Sequence, residues 1–204
     1  MKRKGNIVLS MQPEDPSIFG KLELVSHASA LAGLGRLLFV RDLFIDVQSA
    51  RYEFLLETEK AWLSVHDDFD LGFRYISVGG DPTTADGLIE LTLASIANYS
   101  LDALLRFVEK NAAVRPEWLN ALALASGSPA SDRVVRIVSQ YLRSPDERVC
   151  LRAVEAAFLI GEGQFSRHLD DLMAEGGPIV REVVRLLRPP RPDAGMEGEA
   201  FGGC

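Results

Sequence analysis

His66, Asp67, Asp68 and Asp70 bring one imidazole and three carboxylates into a single short stretch. Such a donor set would suit a hard divalent cation, which takes oxygen ligands. The spacing matches no EF-hand loop, because no glycine and no terminal glutamate follow in register. The cluster therefore reads as a solvated loop and helix cap, and no metal is expected. His27, His66 and His168 are scattered and lack the H-E-x-x-H spacing of a zinc helix. Gly33-Leu34-Gly35 is half a dinucleotide fingerprint, with Leu38 where the third glycine would stand. Gly79-Gly80-Asp81-Pro82-Thr83-Thr84 lacks the Lys-Ser/Thr of a phosphate loop. Both read as turns. Cys150 reads as a small buried hydrophobe rather than a nucleophile. No catalytic constellation stands out, no cofactor is expected, and the chain reads as a non-enzyme.

Charge is the more informative chemistry. From Asp42 to Asp70 there are eight acidic residues against Arg51 and Lys60, a net charge of −6. On a helical wheel, Asp42, Asp46, Glu53 and Glu57 fall within an arc of about 60°. With Asp67, Asp68 and Asp70 they form the expected partner-binding set, an acidic edge that steers a cationic protein surface into place. The plainer alternative is a solvated helix face. Arginines between Arg133 and Arg188 suggest a nucleic-acid surface locally, but Asp132, Asp146, Glu147, Glu155 and Glu182 largely neutralise them.

The whole chain agrees with that charge reading. It has 204 residues and a net charge of −7, which argues against the basic stripe that nucleic acid needs and favours a basic partner. Hydrophobic residues make up 47%, enough for a sizeable core. Two cysteines, Cys150 and Cys204, do not make a disulfide framework, so a reduced, cytoplasmic setting is expected. No apolar run approaches a membrane span. The basic start Met1-Lys2-Arg3-Lys4 is followed by too short an apolar run for a signal peptide, and the ending Gly202-Gly203-Cys204 is not a prenylation box.

The elements that must position these groups read as helices. Residues 1–20 are a polar, proline-broken arm with one short apolar run, either strand or arm. A helical part follows over 21–80. Leu24, Ala28, Leu31 and Ala32 recur at helical spacing. Residues 37–65 hold no proline or glycine and predict a long amphipathic helix, with Arg51 inside its apolar stripe. Arg51 must snorkel, pair with a carboxylate, or mark an interruption near Gln48-Ser49. Residues 73–78 suit a short strand. Beyond residue 83 helices are predicted at 88–97, 101–109, 117–126, 132–142, 149–160, 166–173 and 179–187. Ser100, Ser131 and Asp146 suit N-caps, Pro116 a first helical position, and Gly127 and Gly161 C-terminal stops. Those glycines are 34 residues apart, within the range of helical repeats. Residues 189–204 lack apolar periodicity and read as a disordered tail.

Pro145-Asp146, Val149, Arg152, Ala153, Ala156, Ala157, Ile160 and Gly161 resemble a HEAT repeat, over 144–163 fully and elsewhere in part. The resemblance implies an all-α fold: a solenoid of HEAT-like helical hairpins over 81–188, with a less regular helical part before it. It also implies binding rather than catalysis. The expected function is a non-catalytic protein-binding module, in its most concrete form an immunity or antitoxin-like protein that neutralises a basic toxin domain. A HEAT-like DNA-binding or glycosylase-type protein is one alternative. An adaptor or chaperone subunit of a larger bacterial assembly is another.

Overall fold

The computed structural model describes residues 3–10, 15–46, 49–127 and 129–188, with the side chains of residues 3, 4, 45 and 46 left aside. Among these residues there are five strands and eight α-helices. The strands are β1 (Arg3–Val8), β2 (Leu37–Asp46), β3 (Ser49–Leu56), β4 (Ala61–Asp68) and β5 (Phe73–Gly80). The helices are α1 (Ser17–Leu31), α2 (Pro82–Ser95), α3 (Leu101–Asn111), α4 (Trp118–Ser126), α5 (Asp132–Leu142), α6 (Glu147–Ile160), α7 (Ser166–Glu175) and α8 (Pro178–Leu187).

The strands form one antiparallel sheet in the order β1-β5-β4-β3-β2. The fold is therefore mixed α/β. It is not the all-α, HEAT-like solenoid that the resemblance implied, and the long helix expected over 37–65 is three strands. The physical reason lies in the turns and in the packing. Glu59 occupies the left-handed region at φ 56° in the β3–β4 turn, and its amide donates to the Leu56 carbonyl at 2.7 Å. Glycine or asparagine usually marks such a position, so a glutamate there hides the hairpin. The sheet is also covered on part of both faces, which places apolar residues at both parities and blurs the period of two.

Once the strands are known, the alternation is plain. Ala61, Leu63 and Val65 of β4 are buried on the inner face with Ile76 and Val78 of β5 and Phe54 and Leu56 of β3. α1 and α2 cover this face. α1 buries Ile18, Leu22, Val25 and Ser29, a different stripe from the expected one, and leaves Leu24 and Leu31 in solvent. α2 begins where the double glycine ends β5. Asp81 caps it, accepting from the Thr84 amide at 3.1 Å, and Pro82 takes the first helical position. The expected interruption at Gly79-Gly80 is thus a strand end passing directly into a helix.

The remaining helices follow the sequence expectation closely in position. Ser100 accepts from the Ala103 amide and Asp146 from the Arg148 amide. Gly127 and Gly161 end α4 and α6 at φ 69° and 130°. α4 starts two residues beyond Pro116, with Glu117 at its N-cap. These helices enclose a second core centred on α6, whose Cys150, Ala153, Ala156 and Ala157 are buried. Val8 and Phe73 from the sheet join that core, and α4 packs on β1. The main chain stitches the two halves together: Ser10 donates to Ala97 at 3.2 Å and Tyr99 to Val8 at 2.9 Å. The expected tail, 189–204, lies outside the described residues, as do residues 1–2 and 11–14 of the expected arm. The described part of that arm includes β1 and the first turn of α1.

Among the described glycines, Gly80 would bring an added Cβ nearest to a neighbouring atom. Its φ is 140°, and an added Cβ would collide with the Lys60 carbonyl oxygen across the hairpin. Gly80→Ala is expected to destabilise the protein by about 2–3 kcal/mol, read as a lower urea midpoint.

Candidate functional site

The expected acidic residues sit on three strands and two turns, so Asp42, Asp46, Glu53 and Glu57 do not share a helical face and Asp67 and Asp68 are not in a loop. Asp42 is exposed on β2 opposite Tyr52, which places it on the inner face. Asp46 closes β2, and its side chain is outside the described residues. Glu53 faces the opposite way and takes Arg41 Nε at 2.6 Å and Arg51 Nη2 at 2.8 Å. The Arg41 hydrogen bond holds its carboxyl below the usual range, so it stays ionised. Glu57, in the turn after β3, accepts from the Arg36 amide at 3.0 Å.

Asp67, Asp68 and Asp70 part company as the strand alternates. Asp67 is buried on the inner face in an ion pair with Arg74, its register partner on β5. The pair is bidentate, with Arg74 Nη2 donating to Asp67 Oδ2 at 2.7 Å, and both side chains are only 2% exposed. Arg74 Nη1 then reaches the Asp15 carbonyl at 2.7 Å, just before α1. Asp68 faces outward and accepts from the Leu71 amide at 2.8 Å. Burial pushes its carboxyl up from the ordinary value. Asp70, in the β4–β5 turn, pairs with Arg152 of α6 at 3.0 Å. Arg152 also holds Glu155, which accepts from the buried Asn120 amide at 2.7 Å. That network joins the sheet to the helices. Among the described residues no cluster of His, Cys, Asp and Glu is arranged to hold a metal ion.

The β2 edge of the sheet, held at its start where the Leu37 amide donates to Ser26 Oγ of α1 at 2.9 Å, is what sequence reasoning missed. β2 has a single strand neighbour, β3, and lies outermost in the sheet. It exposes Leu38 (48%), Phe39 (56%), Val40 (53%) and Phe44 (76%). A register shift at Phe39/Arg41 leaves Val40 as an extra residue beside Arg41. On the inner face a 440 Å³ apolar cleft runs between α1 and β2, lined by Phe19, Leu22, Leu37, Phe39 and Phe54. On the outer face Arg51, Trp62, Ser64, His66 and Ser77 line a second cleft. The signal for this edge was present as Leu37-Leu38-Phe39-Val40, but a helical reading assigned half of it to a core.

No family model matches the chain, and no curated protein matches it. Among the described residues no helix is long and apolar enough to cross a membrane.

Two substitutions test the electrostatics. Asp67→Ala strands the Arg74 guanidinium in the interior and is expected to cost about 3–5 kcal/mol, whereas the double variant Asp67→Leu with Arg74→Leu recovers much of that loss in urea unfolding. Asp68 behaves oppositely. Its folded pKa lies above the unfolded value, so the ionised carboxylate costs stability at neutral pH, and the cost fades as pH falls through the folded pKa. Asp68→Asn is therefore expected to be at least as stable as the parent at about pH 7, with the difference shrinking by about pH 4.

Proposed function

We propose that the chain is a non-catalytic protein-binding module that receives an extended segment of a basic partner protein along the outer edge of β2. The observation that carries this reading is the run of exposed apolar side chains on an outermost strand, Leu38, Phe39, Val40 and Phe44. An edge strand presents unpaired main-chain donors and acceptors, and proteins usually blunt such an edge or use it. Strand addition takes its affinity from those main-chain groups and its specificity from side-chain pockets. The apolar cleft between α1 and β2 supplies a pocket of that kind beside the edge. Charge supports the basic partner: the chain carries −7, and among the described residues Asp42 on this strand has no ion-pair partner. The most concrete form of the reading is an immunity or antitoxin-like cap on a basic toxin domain. The edge and the charge support any basic partner with an exposed strand equally well.

Affinity capture from the source organism supplies the partner, which is then purified and titrated. Phe39→Lys with Phe44→Lys is expected to weaken binding by about 2 kcal/mol or more, roughly thirtyfold, while the chain still folds. Amide exchange along β2 should slow in the complex. Unchanged affinity, or β2 amides that exchange as fast as in the free chain, rejects strand addition at this edge.

A further inference from the structure

The outer face of the sheet holds a second set of groups that strand addition at the edge does not use. Cross-strand register places Glu53, Ser64, Ser77 and Asn6 in one row, with Arg51, His66 and Tyr75 in the next. Leu55, Trp62 and Gly79 form the row on the other side. Together these rows floor a cleft of 430 Å³, the size of a small-molecule site. Both ends of the floor are flat. Trp62 lies across Gly79, where an added Cβ would come within 2.6 Å of the indole. His66 stacks on Tyr75 with ring centroids 4.4 Å apart and planes 2° from parallel.

Arg51 lies next to His66, in the row at one end of this floor. Its Nη2 is engaged by Glu53, but its Nε is buried with no hydrogen-bond partner among the described residues. An unmade bond at a buried guanidinium donor is costly, so the half-exposed Arg51 side chain gains by turning its Nε toward an acceptor in the cleft. Arg41 and Arg51 share the single carboxylate of Glu53, so this corner carries one surplus positive charge in a chain whose net charge is −7. Asp68 faces the same side farther along β4 but does not line the cleft. Ser64, beside Glu53 in the register, adds a hydroxyl, while Val40 and Leu55 give an apolar rim.

We propose that this cleft binds a small aromatic carboxylate, the carboxylate on Arg51 and the ring against Trp62. A planar acid gives the turned guanidinium an acceptor, meets the excess charge and packs on the Trp62 indole that lines the cleft. The inference does not rest on the partner reading, and the two share Val40, an edge residue that also rims the cleft.

The test titrates the full chain with phenylacetate and benzoate, with phenylacetamide as the uncharged control, and follows amide and indole NMR signals. Saturable shifts are expected at Trp62, Ser64 and His66 for the acids and none for the amide. Arg51→Gln should weaken the acids by about tenfold or more. Val40→Glu, at an exposed rim position, should weaken them severalfold without disturbing the fold, and it decides the matter if Arg51→Gln fails to fold. Phe44→Lys should leave acid binding intact, which separates this site from the strand edge. The absence of saturable shifts, equal shifts from the amide, or undiminished binding in folded Arg51→Gln or Val40→Glu protein overturns the proposal.

Discussion

The buried pairing of Asp67 with Arg74 is the constraint on which the layered arrangement depends. Two charges with 2% exposure are tolerable inside a protein only when each satisfies the other with good geometry. The bidentate contact locks β4 to β5 in one register, because a slip by one residue would send both groups to opposite faces. Arg74 also grips the carbonyl of Asp15, so the start of α1 is placed by the same guanidinium. From that corner the inner face runs outward through Val65 and Ile76 to Leu63 and Val78, each an apolar pair under α1 and α2. The ion pair adds little net stability of its own. Its role is to make other registers expensive.

The outer face follows from what the inner face leaves over. Alternation puts Trp62, Ser64 and His66 opposite the core residues of β4, and part of this side is covered where Val8 and Phe73 enter the helical core. The part nearer β2 remains open and collects polar and aromatic groups in cross-strand rows. Gly79 is what allows Trp62 to lie flat there. The helices contribute by anchoring the sheet through Arg152 and Asp70 and through the hydrogen bonds of the 96–99 segment, which leaves the β2 side clear.

Much of the helical half was legible in the sequence. Asp132–Leu142 could be bounded by its apolar spacing and the serine before it, though Ser131 makes no side-chain capping bond, and α6 by Asp146, which does, and Gly161. The sheet was not. Period two fails in β4, where Ser64 is buried on the outer face while Asp67 is buried on the inner one, and composition cannot reveal that Asp67 has a cationic partner on β5. The β3–β4 turn carries Glu59 where glycine would have announced it. Arg51 did signal trouble: an arginine inside an apolar stripe fits a strand that pairs it with Glu53. The HEAT-like stretch was a real helix with small buried residues, but close packing of alanines against neighbouring helices is common to many α-rich cores. Asp42, Asp46, Glu53 and Glu57 were expected on one helical surface and Asp67, Asp68 and Asp70 in a loop beyond it, whereas all but Glu57 and Asp70 lie on strands. Cross-strand neighbours and long-range ion pairs set their surroundings, and neither is visible in local spacing.

The order of strands in space has a consequence for how the chain assembles itself. β2 to β5 form a meander in which every neighbour is next in sequence, so these hairpins close over short loops. β1 is different, because Arg3 pairs with Gly80 at the far end of the meander. β1 has nothing to pair with until Tyr75 and the residues after it have followed from the ribosome. The sheet therefore grows from its middle, and β1, made before the meander, is among the last of its strands to find its place.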